Sequence, residues 1–164
     1  ILVILWKNRI PILLIKRKAT AEACPSMWAL PGGFIDSLPT SINNEGLKKF
    51  VEGAETAQEA AIREVKEEIG LTLTEKQLHY VTSDYPTPGG ASELVTLYIA
   101  DADLSNLEKH GGLDVESEDI RVFKASLKDA YENVKNGRIH NSVAIIAIQH
   151  LLLEKESILK SFAK

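Results

Sequence analysis

The chain has 164 residues, 45% of them hydrophobic and 26% charged, with a net charge of −4. That length fits one domain, and that apolar share excludes a chain too polar to build a core. The weakly acidic balance argues against a general nucleic-acid binder, which needs a basic stripe, and a phosphate-bearing ligand here would call for a divalent cation to offset repulsion.

Cys24 is the single cysteine, so no internal disulfide is possible, and with no catalytic signature around it the residue is read as structural. No apolar run is long enough for a bilayer, and residues 1–6 lack the basic region and cleavage site of a signal peptide. The expectation is a cytoplasmic protein that binds neither membrane nor nucleic acid. The chain opens inside an apolar, β-branched run without Met, as though it starts mid-strand with upstream residues missing.

In chain order, residues 1–6 and 10–16 read as strands joined by a turn at 7–9, with Pro11 making the second start irregular. Residues 28–34 are a short apolar stretch that runs into the glycine pair Gly32-Gly33. Residues 37–53 are polar and read as a loop, with a short helix expected at 47–50. Thr56 and Glu59 then form a capping box, and Ala57, Ala61, Val65 and Ile69 repeat every four residues as the buried stripe of a helix that Gly70 ends. Residues 78–83, 94–100 and 120–125 read as strands. The first two are joined by the turn-rich 85–90, and an acidic loop at 114–119 precedes the third. Ser126 with Asp129 opens a helix closing near Gly137, and Asn141 or Ser142 caps a last one through Val143, Ile146, Ala147 and Leu151. No linker divides the chain, so 1–164 is read as a single domain.

Chemistry concentrates on the capped helix. Glu64 and Glu68 lie four apart and Glu67 three from Glu64, so their carboxylates share one helix edge, with Arg63 and Lys66 as the only nearby offsets. Such a face is either a solvated acidic surface or an oxygen-only site for a hard cation such as Mg²⁺. The four histidines, His79, His110, His140 and His150, show no ligand spacing.

The string Arg63-Glu64-Val65-Lys66-Glu67-Glu68-Ile69-Gly70-Leu71, with Glu55 eight residues before Arg63, resembles the signature of the Nudix hydrolase family. The glycine that opens the family's box would fall at Lys49. Instead, Pro31-Gly32-Gly33-Phe34 resembles the family's glycine turn, and 21 residues separate Gly33 from Glu55 where the family has five. The chain therefore carries an insertion of about 16 residues, which costs little closure entropy. The resemblance implies an α/β fold, the Nudix α/β/α sandwich with a mixed central sheet. It implies Mg²⁺, with Mn²⁺ as a substitute, held by Glu64, Glu68, Glu67 and the Gly32 carbonyl. Gly33 belongs to the substrate side of that turn, Arg63 orients the glutamates and Glu55 buttresses the helix start.

Residues further on narrow the resemblance. Pro88-Gly89-Gly90-Ala91-Ser92-Glu93 is similar to the loop of the subgroup that hydrolyses ADP-ribose and related nucleoside diphosphate sugars, where the Glu touches the terminal sugar. By position Glu116 matches that subgroup's catalytic base and Glu118 a further metal ligand, with Glu64 or Glu67 as rival bases. Arg17 is expected to pair with a phosphate or to be an ordinary strand-end arginine, and Trp28 to stack on a base or pack in the core. The implied reaction is water attack on the diphosphate, so that ADP-ribose yields AMP and ribose 5-phosphate. Alternatives are a GDP-mannose or other nucleotide-sugar hydrolase, and a Nudix-like domain that senses ADP-ribose without cutting it. A homodimer is expected, with residues 151–153 either core or dimer surface.

Overall fold

The computed structural model describes residues 2–6, 12–17, 27–33, 55–90, 93–107, 110–111 and 120–163, the strand residues 2–6, 12–17 and 110–111 by backbone alone. Within these the strands are β1 (Leu2–Trp6), β2 (Ile12–Arg17), β3 (Trp28–Ala29), β4 (Leu78–Asp84), β5 (Val95–Asp101), β6 (His110–Gly111) and β7 (Ile120–Ala125). The helices are α1 (Ala57–Ile69), α2 (Leu127–Lys135) and α3 (Ser142–Phe162), with a 3₁₀ turn at Glu75–Gln77. The strands form two sheets. One is mixed, in the order β1-β5-β4, with β1 parallel to β5 and β4 antiparallel to it; the other is antiparallel, in the order β3-β2-β7-β6.

β5 explains the layering. Its side chains alternate between faces, and nearly all of them are buried. Val95, Leu97 and Ile99 point into one cluster with Leu30 and with Val143, Ala144, Ala147, Ile148, Leu151 and Ile158 of α3. Tyr98 and Ala100 point into a second cluster with Ala61, Val65 and Ile69 of α1. A strand buried on both faces by helices is the α/β layering expected.

The helix ends follow local chemistry. Thr56 accepts a hydrogen bond from the Glu59 amide while the Glu59 carboxylate accepts one from the Thr56 amide, and Gly70 closes α1 in the left-handed conformation at φ 70°. Ser126 caps α2, and Asn141 rather than Ser142 caps α3. α3 runs to Phe162, well past the expected stretch, because Ile158, Leu159 and Phe162 continue its apolar face. β2 begins after Pro11 and extends to Arg17, and a bulge at Val81 shifts the β4–β5 register. Leu151 is core, whereas Leu152 and Leu153 are 41% and 81% exposed. The turn at 7–9, Cys24, the segment 37–53 and the loop at 114–119 lie outside the described residues.

Candidate functional site

The caps fix which way α1 faces. Its apolar stripe, Ala61, Val65 and Ile69, is buried against β5, so the edge bearing Glu64, Glu67 and Glu68 turns toward the segment after β3. There the Gly32 amide donates a 2.6 Å hydrogen bond to Glu68 Oε2. Gly32 sits at φ 152°, a conformation that side chains disfavour. At Gly33 a Cβ atom would overlap the Glu64 carboxylate, so only glycine lets the two approach. The glycine turn and the helix thus meet despite the long segment between them.

Glu68 is 4% exposed, the one charged residue buried among the described residues. The sequence pattern pointed to a shared acidic edge; it gave no sign that one carboxylate of the edge would be enclosed.

Arg63 organises the other carboxylates. Its Nε donates to Glu55 Oε1 at 2.9 Å and its Nη2 to Glu55 Oε2 at 3.1 Å, while Nη1 lies 2.9 Å from both Glu64 Oε1 and Glu67 Oε2. The bond to Glu55 is the largest influence holding the guanidinium above its ordinary pKa; burial opposes it, and Glu67 and Glu64 add to it. A planar fork with five donors can serve three carboxylates at once.

The three helix glutamates line one edge without meeting at a point. Among the described residues no group of three His, Cys, Asp or Glu side chains is arranged to hold a metal ion. Glu64 and Glu67 bond to Arg63, and Glu68 to the Gly32 amide. The donor chemistry nevertheless fits a hard cation: carboxylate oxygens beside a bare glycine backbone, one of them enclosed and aimed by an amide.

The other candidate residues sit elsewhere. Trp28 packs against Phe123, ring centroids 4.7 Å apart, beside the first core cluster. Glu93 is exposed, two residues before β5. Glu116, Glu118 and the Arg17 side chain lie outside the described residues. Sequence reasoning passed over Asp84, at the last rung of β4 opposite Val95, where one buried carboxylate oxygen has no hydrogen-bond partner among the described residues. Its place at a strand end before the Pro-rich turn was the available signal.

A capped helix whose arginine and glutamates face a glycine turn, on an α/β layered core, defines a class. Residues 1–140 match the family model described as NUDIX domain, and the chain belongs to that family. It is 34% identical over 114 residues to an ADP-ribose pyrophosphatase of Escherichia coli (strain K12), covering 70% of this chain and 54% of that one. It is 38% identical over 69 residues to a GDP-mannose pyrophosphatase of Cronobacter sakazakii, covering 42% and 36%. The fold resembles that of a MutT/nudix family protein from Enterococcus faecalis, with a TM-score of 0.51, 22% identity, and 75% of this chain and 42% of that one covered. The chain spans about half the length of the E. coli relative. No helix among the described residues is long and apolar enough to cross a membrane.

Proposed function

We propose that the protein is a metal-dependent hydrolase of the diphosphate bond in a nucleoside diphosphate sugar, with ADP-ribose as preferred substrate. The observation that carries the reading is the 2.6 Å bond from the Gly32 amide to Glu68, which joins the glycine turn to the acidic helix edge. The likeness to an ADP-ribose pyrophosphatase over 70% of the chain supports the choice of substrate.

In this reading Glu64, Glu67, Glu68 and the Gly32 carbonyl hold Mg²⁺, or Mn²⁺ in its place. Bound there, the cation offsets phosphate charge and makes water a stronger nucleophile at neutral pH. Arg63 holds Glu64 and Glu67 in place through its bonds to them and to Glu55. Glu68, enclosed and fixed by an amide, presents its carboxylate with little freedom lost on binding. Gly33 leaves room for the Glu64 carboxylate beside the backbone. Glu116 takes the proton from the attacking water, with Glu118 beside it as a further ligand. Arg17 and Glu93 contact the phosphate and the sugar, while Trp28, stacked near Phe123, supports the turn from the core side. With ADP-ribose, one water is consumed and AMP and ribose 5-phosphate leave. The chain acts as one domain, in a homodimer whose contact surface includes Leu152 and Leu153.

The GDP-mannose pyrophosphatase likeness favours a second substrate, GDP-mannose. The test is a hydrolysis panel of ADP-ribose, GDP-mannose, ADP-glucose, UDP-glucose and NADH, with Mg²⁺ and with excess chelator. Turnover of ADP-ribose that chelator abolishes is expected. Faster turnover of GDP-mannose moves the assignment to the second substrate. Binding of ADP-ribose without cleavage means a sensor domain, and no turnover of any compound overturns the hydrolase reading.

A further inference from the structure

One rung of the antiparallel sheet has a composition that the core does not require. Each of the 4 strands gives it one residue: Trp28 of β3 stands opposite Lys16 of β2, Lys16 opposite Arg121 of β7, and Arg121 opposite His110 of β6. Residues directly opposite on neighbouring strands share a face, with their Cβ positions about 5 Å apart. Lys16, Arg121 and His110 thus fill adjacent positions on one face, across about 10 Å. Lys16 and Arg121 carry the same charge, and like charges directly opposite destabilise a sheet. The other basic residues of β2 and β7 avoid this, for Arg17 stands opposite Ile120 and Lys124 opposite Leu13.

This face is not the one that meets the acidic helix, because side chains alternate along a strand. Ile120 and Val122, on either side of Arg121, belong to the second core cluster with Ala61, Val65 and Ile69 of α1. Trp28 and Ala125 pack on the first cluster, to which α3 contributes, and the Trp28 ring meets Phe123, two residues past Arg121. The rung therefore lies on the α3 side of the sheet, where Arg121 is exposed. Arg17, the phosphate contact of the proposed reaction, occupies a position on the α1 side.

Elsewhere the chain neutralises such cations. Arg63 holds Glu55, Glu64 and Glu67, and Lys135 pairs with Glu132, whereas Arg121 forms no ion pair with any described residue. An anion lying across the row offsets the repulsion between Lys16 and Arg121. In a chain of net charge −4 that anion is a small one: a polyanion meets repulsion from the rest of the surface, and a single rung gives it no stripe to follow. A phosphate group suits the row. A guanidinium offers paired donors in a fixed fork, an ammonium a point charge, and an imidazole an N–H donor in either protonation state.

We propose that Lys16, Arg121 and His110 form a binding site for a phosphate group, free or carried by a nucleotide, on the sheet face opposite α1 and separate from the acidic site. Binding there needs no divalent cation, and it stabilises the folded chain by mass action.

The experiment titrates the full chain with sodium phosphate, and separately with AMP, in excess chelator and with ionic strength held constant by sodium chloride. The readouts are the thermal unfolding midpoint and the backbone amide NMR spectrum. A saturable rise in the midpoint is expected, with saturable shifts of the Lys16, Arg121 and His110 amides. R121Q and K16Q should each weaken binding by about tenfold or more. Without ligand, R121Q should melt no lower than the unmutated chain, since the repulsion is gone. K76Q, at an exposed lysine of the 3₁₀ turn, should bind as the unmutated chain does. Equal affinity for the two ligands means that the phosphate group alone is recognised; tighter binding of AMP assigns the site to a nucleotide. Shifts that grow linearly without saturation overturn the proposal, as does binding that R121Q and K16Q leave intact. Saturable shifts confined to Gly32 and α1 overturn it too. Should both variants fail to fold, the location of the shifts in the unmutated chain decides.

Discussion

The Gly32 amide and the Glu68 carboxylate, 36 residues apart in sequence, share a 2.6 Å hydrogen bond inside the fold. A charge-assisted bond of this length holds the carboxylate in one orientation. Glu68→Gln keeps an acceptor for the amide and removes the charge. A fall in turnover of about 10- to 100-fold or more is expected, with a melting temperature close to that of the unmutated chain. Turnover within a factor of two of the original removes Glu68 from the metal site.

At position 33 the glycine is a matter of space. An alanine there would push its Cβ into the Glu64 carboxylate. The atoms in the way are the tip of a flexible side chain, so the carboxylate swings away from Arg63: Gly33→Ala should lose most activity and cost no more than about 1 kcal/mol in urea unfolding. Gly89, whose Cβ would meet open space, is the control: Gly89→Ala leaves stability within about 0.5 kcal/mol.

Arg63 answers to geometry as well as charge. Arg63→Lys keeps the charge, but an ammonium cannot serve Glu55, Glu64 and Glu67 from one fixed fork. The expected loss is about 1–3 kcal/mol, because carboxylates that are only 16–33% exposed lose charged partners. A double-mutant cycle with Glu55→Gln measures the share of that loss carried by the Arg63–Glu55 pair. Additivity of the two single losses would mean that this pair contributes nothing of its own.

The cap of α1 carries a pH signature. Bonds from the Thr56 backbone and then its side chain hold the Glu59 carboxyl below its ordinary pKa. The cap's contribution is present above the ordinary carboxylate range and lost as pH falls through the lowered value. Thr56→Ala should cost about 1 kcal/mol at neutral pH, and less in acid. An equal cost at pH 7 and pH 3 would mean that the box does not couple to the glutamate.

Local chemistry carried the sequence reading where it succeeded. Thr56, Glu59 and Gly70 mark both ends of α1, and Ser126 and Asn141 mark the starts of α2 and α3, because caps depend on neighbours within four residues. Residues 120–125 were readable as a strand, with the bounds the structure has. Pairing was not, since β1 finds β5 across more than 90 residues and nothing in either strand specifies the other. The two-residue strand His110–Gly111 has no periodicity to read. In the candidate site, spacing along one helix placed Glu64, Glu67 and Glu68 on one edge. The burial of Glu68 came from a tertiary contact, and the capture of Glu64 and Glu67 by Arg63 depends on rotamers that spacing does not specify.

The two caps of α1 have a consequence for how this chain can vary. A helix that slipped by one residue would rotate its side chains by about 100°, carrying Glu64 and Glu68 off the glycine turn. Thr56 sets where the helix begins and Gly70 where it stops, so its phase is settled within the helix's own neighbourhood. Residues gained or lost between Gly33 and Glu55 change the path of the connection and leave that phase alone. Loop length and carboxylate geometry are therefore independent variables in this chain, free to diverge separately.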